Sequence, residues 1–122
     1  MQYLMMIYQN ESEFEKATEA ERQPIYQEYM QLREQLVKNG SYVGGNQLKP
    51  TSTATTVRIR DGKRLATDGP FAETKEQLGG YFLVNAKDLD EAIAIAAKIP
   101  AARAGSVEIR PVVVREQAAS GS

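Results

Sequence analysis

Two segments of this chain are apolar on both faces, and that constrains its fold more than any other feature. In Gln2–Tyr8 (QYLMMIY) alternation sends Tyr3, Met5 and Ile7 to one side and Leu4, Met6 and Tyr8 to the other. In Tyr81–Ala86 (YFLVNA), Tyr81 and Leu83 oppose Phe82 and Val84. Thr55–Arg60 and Val107–Arg110 are one-sided by contrast: in the former, Val57 and Ile59 alternate with Thr56, Arg58 and Arg60. A strand apolar on both faces belongs in the interior of a sheet, and each two-sided segment here is followed by a helical pattern.

Pro24 suits the first turn of a helix over Ile25–Lys38, which Asn39-Gly40 stops. Ile25, Tyr29, Leu32 and Leu36 form its apolar stripe, widened by Tyr26, Met30 and Val37. Ser12 with Glu15 is a capping-box pattern for a short turn before it. Asp88 with Glu91 is another, opening a helix over Leu89–Ile99 that ends at Pro100. Ser41–Leu48 reads as a strand in which Gly44-Gly45 marks a bulge or a close backbone approach. Asp61-Gly62 is a two-residue hairpin turn after Thr55–Arg60. The order is strand, helix, strand with an inserted hairpin, strand, helix, strand. That is the split βαβ, ferredoxin-like α+β arrangement, and its central pair is formed by the strands that precede helices. One domain over residues 1–113 is expected, with 114–122 a frayed tail.

Two helices cover only one face of such a sheet. Leaving Leu4, Met6 and Tyr8, or the opposite set, in water forfeits several kcal/mol at about 25 cal/mol per Å² of apolar surface. A second copy of the chain, sheet to sheet about a two-fold axis, is the expected cover, the alternative being that the hairpin and the tail cover that face.

Fifteen basic and sixteen acidic residues, interspersed along the chain, give a net charge of -1, which argues against nucleic-acid or anionic-membrane partners. The chain has neither cysteine nor histidine. Thiolate nucleophiles, Cys/His zinc sites and Ser-His-Asp triads are therefore excluded. Proton transfer near neutral pH would fall to a perturbed carboxylate, lysine or tyrosine. The start, MQYLMMIYQNESEF, has no signal-peptide pattern, and a cytoplasmic location is expected.

The most distinctive stretch is Thr67–Phe82, TDGPFAETKEQLGGYF. Its DGPF motif (Asp68–Phe71) and the following ETKEQLGGY resemble the DGPF-domain branch of the YCII-related family, and the resemblance extends over about residues 1–113. It implies a bacterial protein with a dimeric α+β barrel, in agreement with the packing argument. Members of this branch are often encoded beside alternative sigma factors, which links them to transcriptional regulation by association. In the better-known YCII-like branch, a histidine on the first helix and an aspartate before a late proline are the proposed acid–base pair. The matching positions here are Tyr29 and Ile99, before Pro100, so both groups are missing.

Asp68 is the sharpest candidate for function. One reading puts its carboxylate at the mouth of a cleft as an acid or base. The other makes Asp-Gly-Pro a turn, with Asp68 accepting backbone N–H bonds, Gly69 at positive φ and Pro70 fixing the exit. Phe71, Glu73, Lys75 and Arg58 are the further candidates for ligand contact around it, and Tyr29 and Tyr81 could add hydroxyls. Arg58 would grip a carboxylate, or else guard an edge strand. Neither Gly44-Gly45 nor Gly79-Gly80 opens a helix, so no phosphate-binding loop and no cofactor are expected. Asp68, Glu73 and Glu76 are too thin a set for a metal site. Three functions stay open. They are a small-molecule binder with its cleft near the DGPF loop, an enzyme using Asp68 on a small organic acid, and an interaction module without a pocket.

Overall fold

A computed structural model describes residues 1–115; the expected tail lies outside the described residues from 116 onward. Strand β1 (Gln2–Gln9) is central, pairing antiparallel with β5 (Gln77–Asn85) on one side and β6 (Ser106–Pro111) on the other. β2 (Tyr42–Gln47) flanks β5, giving a four-stranded antiparallel sheet in the order β2-β5-β1-β6. That is the ferredoxin-like order, and the two-sided strands do form its central pair. Their register matches Met5 with Phe82 and Tyr3 with Val84 on the buried face, and Leu4 with Leu83 and Met6 with Tyr81 on the other.

The helices all act on the first of these faces. Helix α1 (Glu11–Lys16) is capped by Asn10, whose side chain accepts the Glu13 N–H at 3.0 Å, rather than by the Ser12–Glu15 pattern. The long helix α2 begins at Glu19, six residues before the expected Ile25. A capping box explains this. Thr18 Oγ1 accepts the Glu21 N–H at 3.1 Å, while Glu21 Oε1 accepts the Thr18 N–H at 2.8 Å. Pro24 therefore lies inside the helix, where the loss of one N–H is outweighed by a well-made start. α2 buries Leu32 and Leu36, whereas Tyr26, Met30 and Val37 are exposed and do not widen the buried stripe. α3 (Leu89–Ala96) starts as expected, with Asp88 accepting the Glu91 N–H at 2.9 Å. It ends three residues before Ile99: the next residues tighten into i→i−3 bonds, and Ile99 is extended, as a residue preceding proline prefers. A 3₁₀ turn over Pro100–Arg103 leads into β6. Met5, Val84 and Ile99 lie at the centre of the core, joined by Leu32, Leu36, Phe82, Ala92 and Ile95.

β3 (Thr55–Arg60) and β4 (Lys63–Asp68) pair only with each other, as a separate two-stranded antiparallel ribbon. Asp61 and Gly62 both take positive φ, 52° and 73°, as a type I′ turn requires. The one-sided stripe of β3 meets no core: Val57 and Ile59 are 59% and 60% exposed. A 3₁₀ turn, Thr51–Thr53, joins β2 to this arm. It is held to α1 by Glu11, whose carboxylate accepts the Thr51 N–H at 2.6 Å and the Thr51 hydroxyl at 2.8 Å.

Candidate ligand cleft

Where α2 passes over the β2 edge of the sheet, the strands beneath it carry too few side chains to meet it. Gly45 of β2 and Gly80 of β5 face the helix layer, and neither position can take a Cβ without movement. At Gly45 the added carbon would lie 2.8 Å from both Phe82 Cδ1 and the Tyr81 carbonyl; at Gly80 it would lie 2.9 Å from the Asn46 carbonyl. The strands are thus packed too closely for side chains, and the space above them stays empty. A cavity of about 260 Å³ results, floored by glycine and Phe82 and walled by Tyr26, Tyr29, Met30 and Arg33 of α2, with Phe14 and Tyr42 at its sides.

Its lining is aromatic. Phe82 sits between Tyr29, with ring centroids 6.3 Å apart, and Tyr42, which meets it edge-on at 6.2 Å. Phe14 and Tyr26 make another edge-on pair at 6.3 Å. Arg33 is the one charged residue in the lining, and its guanidinium lies 5.3 Å above the Tyr42 ring. Burial pushes the Tyr29 phenol above its ordinary value, partly offset by the Ala101 N–H and the Arg103 charge. A second hollow of about 320 Å³ adjoins the first, sharing Gln9, Phe14, Tyr26, Gln47 and Gly79 with it. Glu11, Glu15, Glu19, Arg22 and Lys49 line this second hollow.

Of the residues singled out from sequence, Tyr29 and Tyr81 line the cleft. Tyr81 does so through its backbone, whose carbonyl lies beside Gly45; its side chain is on the other face of the sheet, where its hydroxyl accepts the Asn46 Nδ2 proton at 3.1 Å. Arg58, Asp68, Phe71, Glu73 and Lys75 belong to the arm and the segment after it; all are exposed and none lines the cleft. Phe71 is 79% exposed, so it is no core anchor. The DGPF turn has the expected positive φ at Gly69, 101°, but its fastening differs from the one expected. The Gly69 N–H donates to the Ala54 carbonyl at 2.7 Å and the Thr56 hydroxyl donates to the Gly69 carbonyl at 2.8 Å. Among the described residues the Asp68 carboxylate takes part in no hydrogen bond or ion pair. The same residues hold no cluster of three potential metal ligands, and no helix long and apolar enough to cross a membrane. Arg33, Tyr26, Tyr42, Gly45 and Gly80 were not anticipated as site residues.

Fold and site together define a ferredoxin-like α+β domain with an aromatic cleft beneath its long helix. The chain belongs to the YCII-related family, whose domain matches residues 1–116. It is 34% identical over 116 residues to the uncharacterized protein R00369 of Rhizobium meliloti (strain 1021), covering 93% of this chain and 94% of that one. Tyr29 lies against the Ala101 amide, two residues beyond the fully buried Ile99.

Proposed function

We propose that this chain, a member of the DGPF branch, binds a small organic molecule in the cleft under α2. One observation carries the reading: a glycine floor too tight for side chains holds open an aromatic-walled cavity between α2 and the sheet. The cleft favours binding over catalysis, because its lining contains no carboxylate and the chain has no histidine or cysteine. An enzyme built on Asp68 would have to bring a substrate to an exposed carboxylate outside the cleft. A connection to transcriptional regulation rests on the DGPF-branch resemblance.

The working unit in this proposal is a homodimer, sheet to sheet, with the DGPF motif and its arm belonging to the contact between copies. The face away from the helices presents half-buried Leu4, Met6, Tyr8, Tyr81 and Leu83. Glu108 and Arg110 border this strip on β6, and a two-fold axis would set each against its opposite in the other copy. Val57 and Ile59, exposed on one face of the arm, supply more surface for the same contact, with Phe71 just beyond it.

Amide NMR of the ¹⁵N-labelled chain with a metabolite library tests the cleft. Hits are expected to shift Gly45, Gly80 and Tyr29; a library without hits, or shifts confined to Asp68–Phe71, refutes it. For the dimer, light scattering of Met6→Asp is decisive. An unpaired carboxylate buried at the contact costs about 3 kcal/mol or more, over a hundredfold in dissociation constant, so the variant should be monomeric where the parent is dimeric. A parent that scatters as a monomer at micromolar concentration refutes the assembly.

A further inference from the structure

We infer that the cleft is built for a small monoanionic acid with a flat apolar body, its carboxylate on Arg33 and its body against Phe82 and Tyr29. This rests on the cleft reading above and adds the class of ligand.

Five observations converge on it. Among the described residues Arg33 is the only charge in the lining, and no acidic residue there neutralises it. The ion pairs among the described residues are Arg103–Glu28 and Arg110–Glu108, so Arg33 is committed to neither. What holds it is the Tyr42 ring, 5.3 Å from its Cζ. A cation–π contact engages the guanidinium's charge and uses none of its N–H groups, which donate no hydrogen bond among the described residues and can grip a carboxylate with two parallel ones. The remaining walls are aromatic faces and edges, which suit a planar body. At about 260 Å³ the cavity lies below the ~300–1,000 Å³ of drug-sized sites, so one ring fits better than two.

The neighbouring hollow sets the ligand's orientation. Its three carboxylates, Glu11, Glu15 and Glu19, outnumber Arg22 and Lys49. An anion is repelled there and attracted to the other end of the cleft, where the exposed Arg33 stands two helical turns, about 10 Å, along α2 from Tyr26. The acid group therefore points toward Arg33 and the neutral end toward the acidic hollow. Arg33 differs in kind from Arg22, which already donates to the Phe14 carbonyl at 3.3 Å and faces those acids.

The test pairs two probes of one shape, phenylacetate and phenylacetamide, titrated into the labelled full chain and into Arg33→Gln. Phenylacetate is expected to shift the Gly45, Gly80 and Phe82 amides and to bind about tenfold more tightly than the amide, as a charge-assisted hydrogen bond would give. In Arg33→Gln the two should bind within about twofold of each other, the loss falling mainly on phenylacetate. Arg33 is exposed, so the variant should melt with the parent, and the comparison within the parent stands without it. Equal binding of both probes in the parent, or a preference that survives Arg33→Gln, overturns the inference and leaves the cleft reading standing. Failure of both probes to shift any cleft amide overturns both.

Discussion

Adjacent glycines on β5 offer a sharp test of how the cleft is made. Gly79 and Gly80 receive the same substitution, to alanine, one residue apart, yet the structure assigns them opposite outcomes. At Gly80 the new methyl would sit 2.9 Å from the Asn46 carbonyl and 3.4 Å from Gln47 Cα, both backbone atoms of β2. Relief to 3.4 Å from the carbonyl requires β2 to move by about half an ångström. Overpacking of this kind costs about 1–3 kcal/mol. Disturbing the neighbouring ladder, where the Leu48 N–H meets the Gly79 carbonyl at 2.8 Å, adds about 1 kcal/mol. The lower entropy of an unfolded chain with alanine returns about 0.4–1 kcal/mol. The net loss is about 2 kcal/mol, and for a chain of this size that is about 8 °C in Tm. At Gly79 the methyl would meet nothing closer than Gln9 Nε2, at 3.6 Å, which is ordinary contact, and φ is not positive. That variant should match the parent or melt slightly above it. Circular dichroism melts and urea titrations measure both, and phenylacetate affinity should fall in Gly80→Ala alone. A Gly80→Ala chain that melts with the parent, or a Gly79→Ala chain that falls as far, would refute the close-packed floor.

Acid should weaken the fold partly through Glu21 and Glu28. The Thr18 N–H and hydroxyl hold Glu21 below its usual 4.5, and the Arg103 hydrogen bond does the same for Glu28. Both folded values are depressed, so the stability they add is present above pH 4.5 and lost as pH falls through the lowered values; Glu21→Gln/Glu28→Gln should flatten that limb of the Tm profile. In alkali the sign reverses for Tyr29, whose burial raises the phenol above 10.0: its contribution is present below pH 10 and lost above it, and Tyr29→Phe should flatten that limb. Glu11→Gln removes the charged acceptor from the Thr51 N–H and hydroxyl, at about 1–2 kcal/mol. Hydrogen exchange should then quicken at Thr53, Ala54 and Gly69, whose amides depend on that turn; unchanged exchange would break the proposed tie between α1 and the arm.

The central sheet was legible because its signal is a contrast between strands. Tyr3, Met5 and Ile7 against Leu4, Met6 and Tyr8 place β1 in the interior whatever the helices do, and the same holds for Tyr81–Val84. Asp61-Gly62 was equally plain, since few residue pairs take positive φ twice in succession. The start of α2 was misread because Pro24 is a strong local mark for a first turn. The reciprocal bonds of Thr18 and Glu21 open the helix six residues earlier, and Pro24 is tolerated inside it. The arm was legible as a hairpin but not in which way its apolar face turns. Val57 and Ile59 alternate as core residues do, but alternation records only that a face is apolar, and here the face is turned outward.

The cleft stayed hidden because two of its ingredients each have a commoner meaning when read alone. Tyr26, Tyr29, Met30 and Arg33 follow helical spacing, and such a stripe ordinarily rests on side chains beneath it. Glycine pairs in strands ordinarily mark bulges; here Val43 and Gly79 fall at the register shifts, while Gly45 and Gly80 are the close approaches. A hollow follows only when an aromatic helix face lies over a sheet with glycine at facing positions. That juxtaposition requires β2 and β5 to be neighbours in the right register, Gly45 against Phe82 and Gln47 against Gly80. The DGPF segment drew attention by its unusual composition. Its own turn, fastened by Ala54 and Thr56, explains Gly69 but leaves Asp68 and Phe71 facing solvent. Residues so exposed on an arm with no core of its own are better matched to a surface outside the protomer than to the pocket within it.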